Sequence, residues 1–255
     1  MNYSKFLYVV AFATVFFSAC GNDSSTSANN SNDGDNSSKS SSSTVKSSSS
    51  SVVIPGSTGN LTDSRDGQTY KTVTIGSQTW MAENLNYETA NSYCYNDNAS
   101  NCTKYGRLYT WAAAMDSAGI WSTNGKGCGN NKTCSPTYPV RGVCPQGWHL
   151  PSKAEWETLF NAVGERSTAG KVLKSTSGWY NSGNGTEAFS FSALPAGYRH
   201  DSGYYYGEGY RANFWCSTEG SSLGAYYMYL YYDDDYAGLG GDFKYYGFSV
   251  RCLKD

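Results

Sequence analysis

The hydrophobic and polar positions divide the chain into three stretches. Phe6 to Phe17 form an uninterrupted, mostly apolar run. Residues 21 to 60 are dominated by Ser, Asn, Gly and Asp, with one apolar cluster, Val52-Val53-Ile54. From Leu61 onward, apolar residues recur at the spacings of regular structure. Tyr70 to Ile75, the pair Gly76-Ser77, and Gln78 to Met81 predict a hairpin. A first helix is expected from Arg107 to Ala118, with Leu108, Trp111, Ala112 and Met115 on one face and Gly119 as its stop. A second begins at Ser152, where Ser152-Lys153-Ala154-Glu155 has the form of a capping box. Trp156, Leu159, Phe160 and Val163 form its buried stripe, and Gly164 ends it. Tyr226 to Tyr232 alternate as a strand, with Met228 and Leu230 toward the core and Tyr227, Tyr229 and Tyr231 on the other face. Near the end of the chain, Phe248, Val250 and Cys252 alternate in the same way and should all face inward. Together these elements predict a mixed α+β domain.

The N-terminal run is too short for a bilayer core, which needs roughly 20 apolar residues, and with Lys5 before it suits a secretory signal. The segment Phe16-Phe17-Ser18-Ala19-Cys20-Gly21 resembles the bacterial lipobox, in which the cysteine is acylated and becomes the new N-terminus. Residues 1–19 are then a signal peptide, and residues 20–60 a lipidated cysteine with a serine-rich tether. That tether is too polar to offset its ordering entropy and is expected to be disordered, with a span of roughly 35 Å. In the lipoprotein pattern an aspartate after the cysteine marks inner-membrane retention. Gly21 stands there, so the expected location is the outer membrane, facing either the periplasm or the cell surface.

Residues 61–255 have room for one domain with a sizeable core. The 23 tyrosines and 7 tryptophans stand against 2 histidines, and the net charge of −2 comes with no basic stripe, which argues against a nucleic-acid partner. Seven cysteines follow Cys20, in a compartment that permits disulfides. Cys94 with Cys102, and Cys128 with Cys134, lie close in sequence in Asn/Gly/Lys-rich loops and read as local staples. The second spacing also suits a metal knuckle, but no second pair or histidine supports one. Cys144 with Cys252 is then the natural long-range pair, leaving Cys216, although spacing alone proves none of these pairings.

Several segments carry a family resemblance. Gly147-Trp148-His149-Leu150-Pro151-Ser152-Lys153-Ala154-Glu155-Trp156 resembles the "RLPTEAEW" segment of the formylglycine-generating (sulfatase-modifying-factor) fold. Gly247-Phe248-Ser249-Val250-Arg251-Cys252 resembles that fold's terminal "GFR" strand. More closely, Asp66 to Asp255 resembles the Fibrobacter succinogenes major paralogous domain family, which has lipoprotein members. The landmarks are Asp66-Gly67-Gln68-Thr69-Tyr70, Trp80-Met81-Ala82-Glu83-Asn84-Leu85, Tyr105-Gly106-Arg107-Leu108-Tyr109-Thr110-Trp111, Leu194-Pro195-Ala196-Gly197-Tyr198-Arg199 and Trp215-Cys216-Ser217-Thr218-Glu219. The resemblance implies a C-type-lectin-like α+β fold, two helices packed on short antiparallel strands with long loops, and no defined activity. The family usually has serine where Cys216 stands, which supports Cys216 as the free thiol and a Cys144–Cys252 bridge.

Three classes of function remain. An enzyme of the formylglycine-generating type would need a cysteine pair near the end of the domain, here Cys216 and Cys252, but Cys252 is better used in a disulfide. A Cys216/His200 nucleophile–base pair has nothing local in sequence to orient His200, and His149 reads as structural, so no catalytic residue is assigned. Asp233-Asp234-Asp235 with Asp242 is the only acidic cluster. It lacks the triplets of calcium-dependent lectins and reads as a solvated turn, so no metal or cofactor is expected. The tyrosines point to binding: Tyr227, Tyr229 and Tyr231 in one row, with Tyr204, Tyr205 and Tyr206 in a preceding Gly-rich loop, offer flat amphipathic contact at low entropic cost. The expectation is a surface-displayed, non-catalytic binding or adhesion module. Its partners would be the membrane, through the lipid, and a polysaccharide or an envelope protein. A structural envelope lipoprotein is the alternative. If Cys20 is the anchor, metabolic labelling with a fatty-acid probe marks the wild-type protein and not Cys20→Ala; equal labelling of both removes the anchor.

Overall fold

A computed structural model describes residues 56–255; Cys20, the signal peptide and residues 20–55 of the expected tether lie outside the described residues. The ordered fold starts a little before the expected boundary. Strand β1 (Thr58–Thr62) pairs antiparallel with β2 (Thr69–Ile75), which turns through Gly76-Ser77 into β3 (Gln78–Met81). Residues 58–60 therefore belong to the domain rather than to a tether. Their polar composition suits an edge strand that is mostly exposed. The tight turn after β2 needs the left-handed conformation that Gly76 supplies, at φ +58.

The next stretch differs most from expectation. Strand β4 (Ser92–Tyr93) is followed by helix α1 (Ala99–Tyr105), which carries Cys102, then by β5 (Leu108–Tyr109) and helix α2 (Trp111–Ala114). The expected helix over 107–118 is thus a four-residue helix that starts after a Thr110 cap. Leu108 and Tyr109 are extended because they pair with β4, and Tyr109 also bridges to Phe248. Cys102 lies on a helix rather than in a loop.

Strand β6 (Trp148–His149) precedes helix α3 (Lys153–Ala162), whose Ser152/Glu155 capping box is fully formed. Trp156, Leu159, Phe160 and Val163 are buried as expected. A further helix, α4 (Arg166–Leu173), follows at once. The described residues therefore hold four short helices rather than two. Then come β7 (Ala196–Arg199), β8 (Tyr205–Glu208), β9 (Arg211–Glu219), β10 (Gly224–Tyr231), β11 (Ala237–Phe243) and β12 (Leu253–Lys254). One five-stranded sheet has the order β1-β2-β3-β12-β6 and the other β11-β10-β9-β7-β8. The result is a mixed α+β domain, mostly sheet, in which the last strand returns to pair with the opening hairpin.

The core has two main parts. Trp80 and Trp156, with ring centroids 4.5 Å apart, pack with Phe191 and Phe214 between α3 and the β9–β10 surface, where Cys216, Met228 and Leu230 are also buried. The second part gathers Tyr109, Trp111, Trp215, Phe248, Val250 and Cys252. One indole ties the parts together, Trp111 donating to the Cys216 carbonyl at 2.8 Å, and a second, Trp215, braces the second part by donating to the Tyr109 carbonyl at 2.7 Å. Disulfides join Cys94 to Cys102, Cys128 to Cys134 and Cys144 to Cys252, leaving Cys216 as a buried free thiol.

Three fully buried cationic side chains organise the irregular segments. Arg251 donates to the Asn84 side chain at 2.8 Å and to the carbonyls of Phe191 and Ser192. Lys244 donates to the carbonyls of Gly129, Lys132 and Ser222 and pairs with Glu219. Lys174 donates to the carbonyls of Tyr231 and Asp234, at 3.1 and 2.9 Å. Burial lowers the Arg251 pKa to about 9, and hydrogen bonds to oxygen acceptors offset the cost of a buried charge. Replacing Arg251 with methionine keeps bulk but strands three acceptors, so stability should fall by about 3 kcal/mol or more. Chemical denaturation measures this against the exposed control Lys254→Met. A loss below about 0.5 kcal/mol, the range of ordinary surface substitutions, contradicts the role.

Candidate binding face

Alternation along β10 sends its side chains two ways. Met228 and Leu230 are fully buried under the helices, while Tyr227, Tyr229 and Tyr231 share the opposite face, each half-buried. Successive ring centroids in that row are 5.6 and 5.2 Å apart. This is closer than the ~6.7 Å repeat of alternate residues on a strand, so the rings lean together. The neighbouring strand explains their posture. Gly240 pairs with Tyr227 and Gly238 with Tyr229 across the ladder. A Cβ at Gly238 would lie 2.0 Å from the Tyr229 ring, and one at Gly240 would lie 3.1 Å from that of Tyr227. The missing side chains on β11 let the phenols lie over its backbone.

The row continues into residues that are remote in sequence. Tyr227 meets Phe248 at 4.9 Å, and Phe248 meets Tyr246 at 6.2 Å. Tyr246 lies 5.8 Å from Tyr198, and Tyr198 lies 5.7 Å from Tyr206. His200 packs on Tyr246 at 4.9 Å. At the margin Phe243 stacks on Tyr245 at 5.0 Å and is 43% exposed. An aromatic belt therefore crosses the sheet from Tyr231 to Tyr206.

One cation sits in the belt. Arg211 stands opposite Tyr231 in the β9–β10 register. Its guanidinium lies 5.2 Å from the Tyr231 ring and 5.3 Å from that of Tyr198, within cation–π range. Two residues on, Asn213 is buried beside Tyr229 on the same face. Arg211 Nε and Asn213 Oδ1 are both buried without a hydrogen-bond partner. Burial pushes the Asp242 carboxyl above its ordinary value, against the pull of the Phe243 N–H and the charges of Arg211 and His200. Burial likewise raises the phenols of Tyr227 and Tyr229.

The Gly-rich segment splits. Tyr204 is 67% exposed and Tyr206 46%, and Tyr206 joins the belt. Tyr205 belongs to strand β8 and takes a structural position: its ring packs on Tyr95 at 5.3 Å and its hydroxyl donates to Asp97. Burial and that carboxylate push its pKa up to about 12. Sequence reasoning found the row but missed Arg211, Tyr198, Tyr246 and Phe248. Only the register of β9 against β10 and the packing of the segment before β12 bring these four together, and neither leaves a local signal.

The other residues singled out are placed as follows. Cys216 lies in the helix-covered core, whereas His200 lies among Tyr206 and Tyr246 on the belt, so the two form no pair. Burial holds the Cys216 thiol well above its ordinary pKa, and Cys252 is disulfide-bonded. The Asp233–Asp235 turn is exposed and closes over Lys174, whose ammonium bonds the Asp234 carbonyl. Among the described residues no group of three or more metal-ligating side chains assembles.

Cavities lie elsewhere among the described residues. One, of about 530 Å³, borders Lys174 and the Asp233–Asp235 turn. Of two others, the first, of about 720 Å³, is polar and is lined by Lys71, Glu83, Asn84, Glu187 and Ser192 among others. The second, of about 750 Å³, borders α3 beside His149. There Nδ1 of His149 lies 2.7 Å from Asp255 and Nε2 lies 3.0 Å from Glu155. Both ring nitrogens are thus committed to carboxylates, the arrangement of a structural imidazolium.

The model of one protein family, the Fibrobacter succinogenes major domain, matches residues 73–254. No curated protein and no solved structure matches the chain.

The His149 cluster has a pH signature. Burial opposes the charged ring, but Glu155 and Asp255 outweigh it and raise the pKa; His149 in turn helps hold the Glu155 carboxyl below its ordinary value. A raised histidine contributes fully below its unfolded pKa of about 6.5 and loses the contribution as pH rises through the folded value. The lowered Glu155 contributes above about pH 4.3 and loses it as pH falls through the folded value. Wild type should therefore exceed His149→Gln in melting temperature most between about pH 4.5 and 6.5, and less above that window. A difference that grows toward alkaline pH contradicts the assignment.

Proposed function

The chain belongs to the Fibrobacter succinogenes major domain family, and from its surface we propose that it is a non-catalytic binding module held at the outer membrane by lipid on Cys20, and that it engages polysaccharide through the aromatic belt. The observation that carries the reading is the run of partly exposed rings from Tyr231 through Tyr229 to Tyr227 and from Tyr246 through Tyr198 to Tyr206, joined beneath by the buried Phe248, on the sheet face opposite α3 and α4. A sugar ring has an apolar C–H face and a polar edge, and half-exposed phenols offer the same division: a flat face for stacking and a hydroxyl for hydrogen bonding. Because the rings rest on one another and on a glycine strand, little rotamer freedom remains to be lost on binding.

The reading of the fold as C-type-lectin-like rests on the sequence landmarks above, and the belt would then be a ligand surface independent of calcium. A tether of about 40 residues ahead of the domain would let that surface search the space around its anchor. A structural envelope role needs no ligand on the belt, and the test below separates the two.

The test is a glycan and insoluble-polysaccharide binding screen on the full chain. Tyr229→Ala and Tyr231→Ala should each weaken binding by roughly 1–3 kcal/mol, the scale of aromatic stacking on nucleobases, with little change in melting temperature. Tyr227→Ala should also destabilise the protein, because Tyr227 packs on Trp215 and Phe248. Trp156→Ala opens a core cavity and should act on stability alone. Tyr229 and Tyr231 variants that melt early and bind normally would make the row packing surface. A wild-type protein that binds no glycan would favour the structural role.

A further inference from the structure

Arg211 and Arg199 are placed unlike the domain's paired cations: each lies over tyrosine rings with a buried, unpartnered Nε, and of the two it is Arg211 that sits between rings of the belt, Tyr198 and Tyr231, while Arg199 lies over Tyr93 and Tyr205. Arg251, Lys244 and Lys174 spend their donors on carbonyl and side-chain oxygens. Arg65 is paired with Asp63 at 2.6 Å, and Arg107 bonds Ser92 and Glu88. The Arg211 side chain makes no ion pair and no hydrogen bond to any described residue. Its guanidinium is held between two tyrosine rings, with Nε buried and unpartnered. The terminal amino groups also lack partners but are not buried. A cation fixed in this way keeps two donors in a rigid fork matched to a carboxylate.

Its surroundings narrow the ligand. The rings beside it are the Tyr229–Tyr231 end of the row on one side and Tyr198 with Tyr206 on the other. Asp242 is near enough for its titration to respond to Arg211 but lies beyond ion-pairing distance, and its carboxyl accepts from the Phe243 N–H at 2.8 Å. Asn213, two residues along the strand, is buried and out of reach of a ligand, so the groups left to meet one are the terminal amino groups of Arg211. Set among flat rings, they suit a ligand with apolar ring faces and a carboxylate.

We propose that Arg211 makes the belt selective for acidic polysaccharides, its terminal amino groups meeting the carboxylate of a uronic acid unit while Tyr229 and Tyr231 stack on neighbouring ring faces. The inference rests on the polysaccharide reading above and adds the chemical class to it. The repeating row of flat rings favours a polymer of rings over an acidic peptide, whose side chains carry charge without a face to stack.

The probe is polygalacturonate against its methyl ester, which keeps the rings and removes the charge. The full-length protein should bind the acid at least about tenfold more tightly than the ester, a ratio equal to about 1.4 kcal/mol, and the preference should shrink as salt rises. Arg211→Met should erase the preference while ester binding stays near wild type, and Arg211→Lys should recover only part of it, because an ammonium lacks the planar fork. Circular dichroism and melting temperature confirm that the variants fold. Equal binding of acid and ester by wild type, or a preference that survives Arg211→Met, overturns the inference and leaves the polysaccharide reading standing. Binding of neither polymer, nor of neutral xylan or cellulose, sinks that reading as well. Polyglutamate bound as tightly as polygalacturonate overturns the inference in favour of an acidic protein partner.

Discussion

The constraint on which this domain depends is that its buried loop carbonyls need donors. Regular ladders are short: several strands have only two residues and one helix has four. Much of the backbone between them runs inside the fold, where an unpaired carbonyl costs as much as a lost hydrogen bond. Arg251, Lys244 and Lys174 supply donors from long flexible side chains, each to two or more carbonyls from distant parts of the chain. Arg141 does the same on a smaller scale for Trp121 and Cys144. Burying such charges is expensive. They persist here because one guanidinium or ammonium meets several acceptors at once, which no neutral side chain of similar size could do.

That arrangement shapes the surface too. Lys174 fixes the end of β10 and the Asp233–Asp235 turn, while Lys244 fixes the Cys128–Cys134 loop against β11 and Glu219. The β10–β11 hairpin is therefore held at both ends by buried cations, and the tyrosines between them stand on a stiff ladder. Glycine on β11 carries an entropic cost in a strand. Close approach of the Tyr227 and Tyr229 rings to the β11 backbone offsets it, since any side chain at Gly238 would displace the phenol.

Much of this was legible in the sequence, for identifiable reasons. The hairpin at 70–81, the capping box at Ser152 and the alternation of 226–232 are local patterns with periods that survive folding. The three disulfides followed from spacing together with the family resemblance. The expected helix over 107–118 failed because Leu108, Trp111 and Met115 are all buried, which mimics a helical stripe, although Leu108 is buried from an extended strand. Helix α4 escaped notice because its sequence, from Arg166 to Leu173, has Ser, Thr and Gly where a strong helix former would stand. Strand β1 looked like tether because a short exposed edge needs no apolar face. The buried cations gave no sign at all: lysine and arginine are mostly exposed, and only their tertiary neighbours reveal otherwise.

Strand β9 separates the side chains that build the helix-covered core from those that face the belt. Its even positions, Ala212, Phe214 and Cys216, pack beneath the helices, while Arg211, Asn213 and Trp215 face the belt. Trp215 anchors the centre, packed on Phe248 with ring centroids 4.2 Å apart and bonded to the Tyr109 carbonyl. Burial on the belt side therefore falls along the strand, from the fully buried Trp215 to the half-buried Arg211 at its start. Substitution near Trp215 would disturb both parts of the core at once. Arg211 instead touches mainly Tyr198, Tyr231 and the Gly207 turn. The charge of the belt thus sits where the strand contributes least to the core, so the chemistry of the surface can change without rebuilding the sheet beneath it.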